Sequence, residues 1–380
     1  MLLTVFFPDF DSTRIVTMRS CCLLMALSLA LSTMGAARQL GSDQQDTTND
    51  ARTRIFPLPI FFYTPETGIA GGAAALLLMR DSASTRPTSI TGDAIYTERK
   101  QIILEADGDI YWDRDDFRLL SSVVFQKFPN RFFGVGNFTA QSNEETYTPE
   151  TFFIRAVLYK RFFSNYSIGP LIRYESLTMH DVDPSGLLAP GIIAGSKGGK
   201  SSGLGLVANW DSRDNTFAAA SGSFYQVTGL LYRQSFGGDY DYSDIQIDTR
   251  HFFEIVPTQV LAIQAAAEFM NGTVPFQSLV RFGGQNILRG YFDGRYRDKN
   301  GMVLQAEYRV PVWWRIGLVG FAGVAQVANQ VSNFATNRFW FAGGVGLRFF
   351  WNPKERISLR LDYGIGNNSS GTYVTVTEAF

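Results

Sequence analysis

Reactive side chains are sparse in this chain. Two histidines, His180 and His251, are the whole supply of imidazole in 380 residues. A hydrolase built on a serine and a histidine needs one of them within reach of a hydroxyl. His180 stands beside Asp181 and Asp183 in a polar stretch, and His251 precedes Phe252 and Phe253. They read more simply as a loop polar group and an interfacial ring. Asp181 and Asp183 with His180 offer a weak signal for a surface cation. Asp211 and Asp214, flanking Arg213, suit a turn closed by side-chain hydrogen bonds better than a metal. Gly237-Gly238 and Gly283-Gly284 lack the strand-to-helix setting of a phosphate cradle. The expectation is a protein that is not an enzyme, with no metal and no cofactor.

What remains is arginine. Residues 271–300 carry Arg281, Arg289, Arg295 and Arg297 among glycines and aromatics. Guanidinium forks suit carboxylates. Such a loop either folds inward against an acid-bearing wall or stays outside as a solvated basic loop. The choice depends on the elements around it.

Those elements are strands. Leu104 and Ala106 alternate with Glu105, Asp107 and Asp109; Leu304, Ala306, Tyr308 and Val310 alternate with Gln305, Glu307 and Arg309; Leu359, Leu361, Tyr363 and Ile365 alternate with Ser358, Arg360 and Asp362. Period two with one apolar and one charged face fits either a half-buried soluble sheet or a transmembrane barrel with a wet lumen. Thirty-two Phe, 16 Tyr and 6 Trp gather beside short connections, at 128–133, 161–166, 251–253, 312–314 and 349–353. A membrane-interface girdle accounts for aromatics at strand ends; a sandwich core would place them mid-strand. Lys plus Arg is 34 against 35 Asp plus Glu, so no basic excess points to nucleic acid.

Export agrees with this. Residues 20–37 are uncharged and mostly apolar, follow Arg19, and end in Gly35-Ala36-Ala37, a small-residue cleavage site. Met18 reads as the working start. The alternative is a single membrane anchor, for which the apolar run is short. The only cysteines, Cys21 and Cys22, fall in this run, so a mature chain has no disulfide framework and no cysteine zinc site. The division is therefore 1–37 leader and signal peptide, 38–53 flexible periplasmic leader, and 54–380 barrel.

The fold expected is all-β: a sixteen-stranded antiparallel transmembrane β-barrel closed by pairing of its first and last strands. The strands include 67–80 as the first, 131–139 as the fifth and 371–380 as the last. Short connections at 99–100, 127–130, 163–164, 256–257 and 351–355 are assigned to the periplasmic side. Longer ones at 140–149, 179–200, 271–300 and 329–338 are assigned outside.

Motif order adds a resemblance. Leu288-Arg289-Gly290-Tyr291, then Ala306-Glu307-Tyr308-Arg309-Val310-Pro311, preceded by Trp210-Asp211-Ser212-Arg213-Asp214-Asn215 with Gly222, and followed by Arg360-Leu361-Asp362-Tyr363-Gly364 and Phe380, resemble the BamA/TamA superfamily, or bacterial surface antigen family. The resemblance covers residues 54–380. It implies a sixteen-stranded bacterial outer-membrane barrel whose arginine loop tucks into the lumen and whose first/last-strand seam opens sideways. By carry-over, Arg289 locks the loop, Gly290 and Tyr291 shape it, Asp211, Arg213 and Asp214 form the family turn, and Phe380 is the signal on the last strand. The family's usual aspartate is absent from Phe321-Ala322-Gly323-Val324-Ala325, which leaves Glu307 or Asp362 as substitute partners of Arg289. The periplasmic receptor (POTRA) domains of protein-handling members have no room before the barrel, so a barrel-only relative is expected.

The function implied is assistance with insertion or translocation of proteins or lipids at the outer membrane through the lateral seam. Gly68, Gly71 and Gly72 on one side and Gly371 on the other would weaken that seam. Expected partners are outer-membrane lipid, an unknown client and a separate periplasmic protein. The alternatives are a passive channel for small solutes and a structural barrel that holds a partner subunit.

Overall fold

Alternation of apolar and polar residues drives the chain into strands, and strands whose apolar faces all point outward must close on themselves to leave no bare edge in lipid. A computed structural model describes residues 53–64, 67–79, 88–353 and 356–380. The signal peptide and nearly all of the leader assigned above lie outside the described residues. Sixteen strands form the wall: β1 (Thr53–Thr64), β2 (Gly68–Met79), β3 (Thr88–Thr97), β4 (Ile102–Trp112), β5 (Phe117–Lys127), β6 (Glu145–Phe163), β7 (Tyr166–His180), β8 (Gly199–Asp211), β9 (Gly222–Tyr232), β10 (Tyr242–Val256), β11 (Gln259–Gly272), β12 (Asn300–Trp313), β13 (Ile316–Ala328), β14 (Trp340–Asn352), β15 (Ile357–Gly366) and β16 (Ser369–Val376). Each pairs antiparallel with the next, and β16 returns to β1.

The outer face is apolar: Phe61, Leu104, Leu206, Ile245, Leu304, Val345 and Ile365 are all exposed on the wall. The inner face carries the charge, with Glu105, Asp109, Asp248, Arg250, Glu307, Arg348, Arg360 and Asp362 buried within the lumen. This is the reverse of a soluble sandwich. No helix among the described residues is long and apolar enough to cross a membrane; the crossing elements are the strands.

Sixteen is the expected number, reached with a different set. The first strand is Thr53–Thr64, a stretch that the sequence reading puts almost wholly in the barrel but assigns to no strand, so Gly68–Met79 is the second strand, and Gly71 and Gly72 pair with β3 as well as with β1. Residues 131–139 are not a wall strand. Only Asn130–Phe132 is extended there, and the rest is loop. The last strand ends at Val376, so Phe380 is not on it.

One rim carries tight turns at 113–116, 164–165, 257–258 and 314–315; the opposite rim carries the loops 128–144, 181–198, 233–241, 273–299 and 329–339. The turn at 98–101 and the connection at 127–130, which opens the loop 128–144, belong to the loop rim, not to the tight-turn rim expected for both, because each is separated from 113–116 by a single strand. Aromatics ring the tight-turn rim: Phe163 (73%), Trp313 (70%) and Trp314 (73%) are exposed there. The cluster at 128–133 does not join them. Phe132 packs edge-on against Phe276 at 5.0 Å, and Phe133 against Phe292 at 6.1 Å, inside the loop-filled end of the lumen.

Candidate functional site

The loop between β11 and β12 turns into the lumen. Its inner half is a two-strand ribbon, Val280–Phe282 against Tyr296–Asp298, and its apolar side chains pack with Phe132, Tyr147 and Phe276. Arg297 is buried against the rings of Phe132 and Phe276 (5.3 and 5.7 Å). Arg295 donates to Thr139 Oγ1 (2.8 Å) and to Gln141 Oε1 (3.1 Å). The neighbouring loop 128–144 is thereby stitched to this one.

The tip places Leu288-Arg289-Gly290-Tyr291 against the wall. Arg289 donates to both Glu307 and Asp362, one carboxylate per terminal nitrogen. Its guanidinium carbon lies over the Phe321 ring, 3.5 Å from the centroid. Phe321 thus stands beneath the guanidinium on the strand that lacks an aspartate. Gly290 takes φ +118°, and a Cβ there would meet the Ile365 backbone at 2.8 Å; a Cβ on Gly364 would meet Arg289 C at 2.6 Å. Two glycines therefore let backbone touch backbone. Tyr291 donates to Phe341 O (3.0 Å) and accepts from Asn367 N (2.7 Å); Ser369 Oγ donates to Gly290 O (2.6 Å).

Beneath the tip lies an ion cluster larger than the three residues singled out from sequence. Arg309 donates through Nη2 to Glu307 Oε1 (2.9 Å), and Arg348 through Nη1 to Asp362 Oδ1 (2.6 Å). Arg360 sits 3.6 Å from Asp362 and donates to Gln285 O (3.0 Å) in the loop. Arg348 also donates through Nε to Glu378 Oε2 (2.7 Å). Four guanidiniums face three carboxylates in a space where unpaired charge is expensive. Arg348 and Glu378 carry no motif; the alternating charged positions of β15 are the signal for Arg360, a lone charge in the otherwise uncharged β14 the one for Arg348, and a charged residue just past the last strand the one for Glu378.

Glu378 reaches this cluster because the chain turns inward after β16. Thr377 adopts φ +64°, strained for a β-branched residue, and Phe380 ends buried against Ala219, Phe252 and Ala262. Arg309 donates to Phe380 O (2.9 Å). The sequence reading placed Phe380 at the end of a wall strand. It belongs instead to a second, smaller filling at the tight-turn end of the lumen.

The turn 212–221 completes that filling. Arg213 is held bidentately by Asp211 (2.9 Å for both bonds) and lies 4.7 Å from the Phe224 ring. Asp214 accepts from the backbone of Ala220 (2.9 Å) and Ser221 (3.2 Å) and pairs with Arg356 of the next tight turn but two (2.5 Å). Burial alone would push the Asp214 carboxyl up, but Arg356 and the two N–H donors outweigh it and hold it below the usual range.

Elsewhere, Asp183 Oδ1 accepts from Ser185 N (2.9 Å) and Oγ (2.7 Å), a local turn, and His180 pairs with Glu150 (3.4 Å). His251 has a hydroxyl partner that sequence reasoning missed, Ser223 Oγ at 2.5 Å from Nδ1. The pair sits on the outer wall, with His251 tilted onto Phe253 at 4.2 Å. The Ser223 N–H is spent on Ser212 Oγ (3.0 Å), so it is not a free donor for an oxyanion. Asp93, Glu105 and Asp107 come together on the β3–β4 lumen wall, and each is already engaged in another interaction.

The seam contrasts with all of this. β1 and β16 pair at Tyr63–Val374 alone among the described residues, while β1 pairs with β2 along its whole length and β15 with β16 from Leu359–Val376 to Gly366–Ser369.

A model of the Omp85 superfamily domain matches residues 96–375. Among solved structures the fold is similar to BamA from Haemophilus ducreyi lacking POTRA domains 1–3 (TM-score 0.63, 14% identity, 88% of this chain and 73% of that chain). It is also similar to CdiB from Escherichia coli (TM-score 0.57, 9% identity, 88% and 66%) and CdiB from Acinetobacter baumannii (TM-score 0.55, 10% identity, 85% and 59%). The chain spans less than two thirds of either CdiB chain. No curated protein matches the sequence.

Proposed function

The chain belongs to the Omp85 superfamily, and from that premise we propose that it aids insertion or translocation of a protein or a lipid through the seam between β1 and β16. A family barrel of this kind points to the bacterial outer membrane. The supporting observation is the single paired position among the described residues, Tyr63–Val374, in a wall whose other junctions are each laddered over many pairs. Backbone groups without partners cost several kcal/mol each in hydrocarbon, so this is where the wall yields first.

In this reading Arg289, held by Glu307 and Asp362, locks the inner loop, with Gly290 and Tyr291 seating it on β15. The turn Asp211–Asp214 and the segment ending at Phe380 brace the other end. The described residues contain no POTRA-like region; in this reading a separate periplasmic protein supplies a client-docking platform. Ser223 and His251 are given a structural role, since the seryl N–H is already bonded.

The test is a disulfide across the seam. Tyr63→Cys with Val374→Cys places two thiols on directly opposed residues, the geometry a disulfide needs. Oxidation is expected to abolish complementation of a deletion strain, and reduction to restore it. Unchanged growth and membrane assembly with the seam locked would refute the proposal. A passive solute channel has less support, because both ends of the lumen are filled; a high planar-bilayer conductance of the intact chain would reverse that ranking.

A further inference from the structure

β1 contains Pro57 and Pro59, yet its ladder with β2 runs unbroken through Pro57–Ala75 and Pro59–Ala73. Proline has no N–H. In an antiparallel strand the N–H and C=O of one residue point to the same neighbour, and successive residues alternate sides. An intact ladder with β2 therefore means that the missing donors are those facing away from it, toward the seam. Tyr63 has the same parity as Pro57 and Pro59, and it is the residue that pairs with β16. The seam edge of β1 below Tyr63 consequently shows the carbonyls of Ile55, Pro57, Pro59 and Phe61, but N–H donors only from Ile55 and Phe61 in that run.

Beyond Val376 the other side of the seam withdraws. Continuing the Tyr63–Val374 register would set Glu378 opposite Pro59 and Phe380 opposite Pro57, where no donor awaits them. Instead the chain turns at Thr377 (φ +64°), Glu378 goes to Arg348, and Phe380 goes to Ala219 and Phe252. The tight-turn half of the seam is thus an edge rich in acceptors, flanked by the apolar, outward side chains of Ile55 and Phe61. A client strand is a poor match for it, because a strand offers donors and acceptors in alternation and two of its acceptors would be left bare in lipid.

We propose that this edge binds the ammonium headgroup of a phosphatidylethanolamine-type lipid. A primary ammonium brings three N–H donors and no acceptor, which suits a row of carbonyls, while its acyl chains lie along Ile55 and Phe61. The inference rests on the seam reading above and specifies which client class that seam takes.

The test uses the full chain in detergent with four lipids of identical acyl chains: phosphatidylethanolamine, its N-methyl and N,N-dimethyl derivatives, and phosphatidylcholine. Retention is read by native mass spectrometry. Donors fall from three to none along the series, and retention is expected to fall stepwise, about tenfold end to end if one or two net hydrogen bonds are at stake. Pro57→Ala with Pro59→Ala supplies the missing donors and is expected to flatten the series. Equal retention of all four lipids by the unmodified chain would overturn the proposal, whatever the variant does. So would preferential crosslinking of a barrel-strand peptide to Ile55→Cys with both prolines in place. The seam disulfide separates the two readings: if locking Tyr63→Cys to Val374→Cys abolishes function but headgroup retention is flat, only the ammonium site falls.

Discussion

The wall from β12 to β15 and the junction of β1 with β16 solve the same problem in opposite ways. On the first, neighbouring strands are laddered and the side chains facing in are tied to a loop through Arg289 and Arg360. At the second, one residue pair closes the ring, two prolines remove donors, and the last four residues leave the wall. The densest ion pairing lies beside the most sparsely paired junction of the wall. The plug's arginine grips Asp362 on β15, the strand next to β16, so the lumen filling and the seam share a neighbour.

That comparison can be broken most severely at Arg289. Arg289→Ala leaves two buried carboxylates facing a reduced set of cations and is expected to cost about 3–5 kcal/mol. Urea unfolding checks the loss, and proteolysis within 273–299 should appear while crosslinking of Tyr63→Cys to Val374→Cys is unaffected. If the seam crosslink changes as much as the loop, the two regions are not separable. Glu378→Gln comes next. It weakens one of the two carboxylate holds on Arg348 and should cost about 1–3 kcal/mol. Because Glu378 lies beyond β16, this change is expected to raise hydrogen exchange at Tyr373–Val376 rather than in the loop.

Gly290→Ala sharpens the steric side of the contrast. A methyl group would press on the Ile365 backbone at 2.8 Å in a left-handed conformation, and a loss of about 1–3 kcal/mol is expected, with the loop tip displaced and Arg289 spaced away from Asp362. The smallest effect belongs to Asp214→Asn, which loosens two tight turns at the far rim by under about 1 kcal/mol, since the pair with Arg356 is partly exposed. Its carboxyl is held low, so the stabilisation is present above the unfolded value of about 3.9 and is lost as pH falls through the lower folded one. Variant and parent should converge in acid and differ at neutral pH.

Much of this barrel was legible because period-two alternation with charge on one face leaves few folds, and the loop motif was legible because arginine among glycines is distinctive. The first strand was missed for the reason that makes it interesting: Pro57 and Pro59 are turn residues by composition and edge residues by position. Residues 131–139 misled in the other direction, since Phe132 and Phe133 look like interface aromatics and are in fact filling between two loops. Arg289, Glu307 and Asp362 could be singled out from motif order. Arg348 and Glu378 could not, because their meeting depends on an inward bend at Thr377 that no local pattern announces.

Strand length has a last consequence. β16 has eight residues and β6 has nineteen. At about 3.3 Å per residue and a tilt of about 40°, these stand about 20 Å and about 48 Å tall. The apolar band of an outer-membrane barrel is about 25 Å. On one flank the wall exceeds the height of such a band; on the other, at β16, it falls short of it.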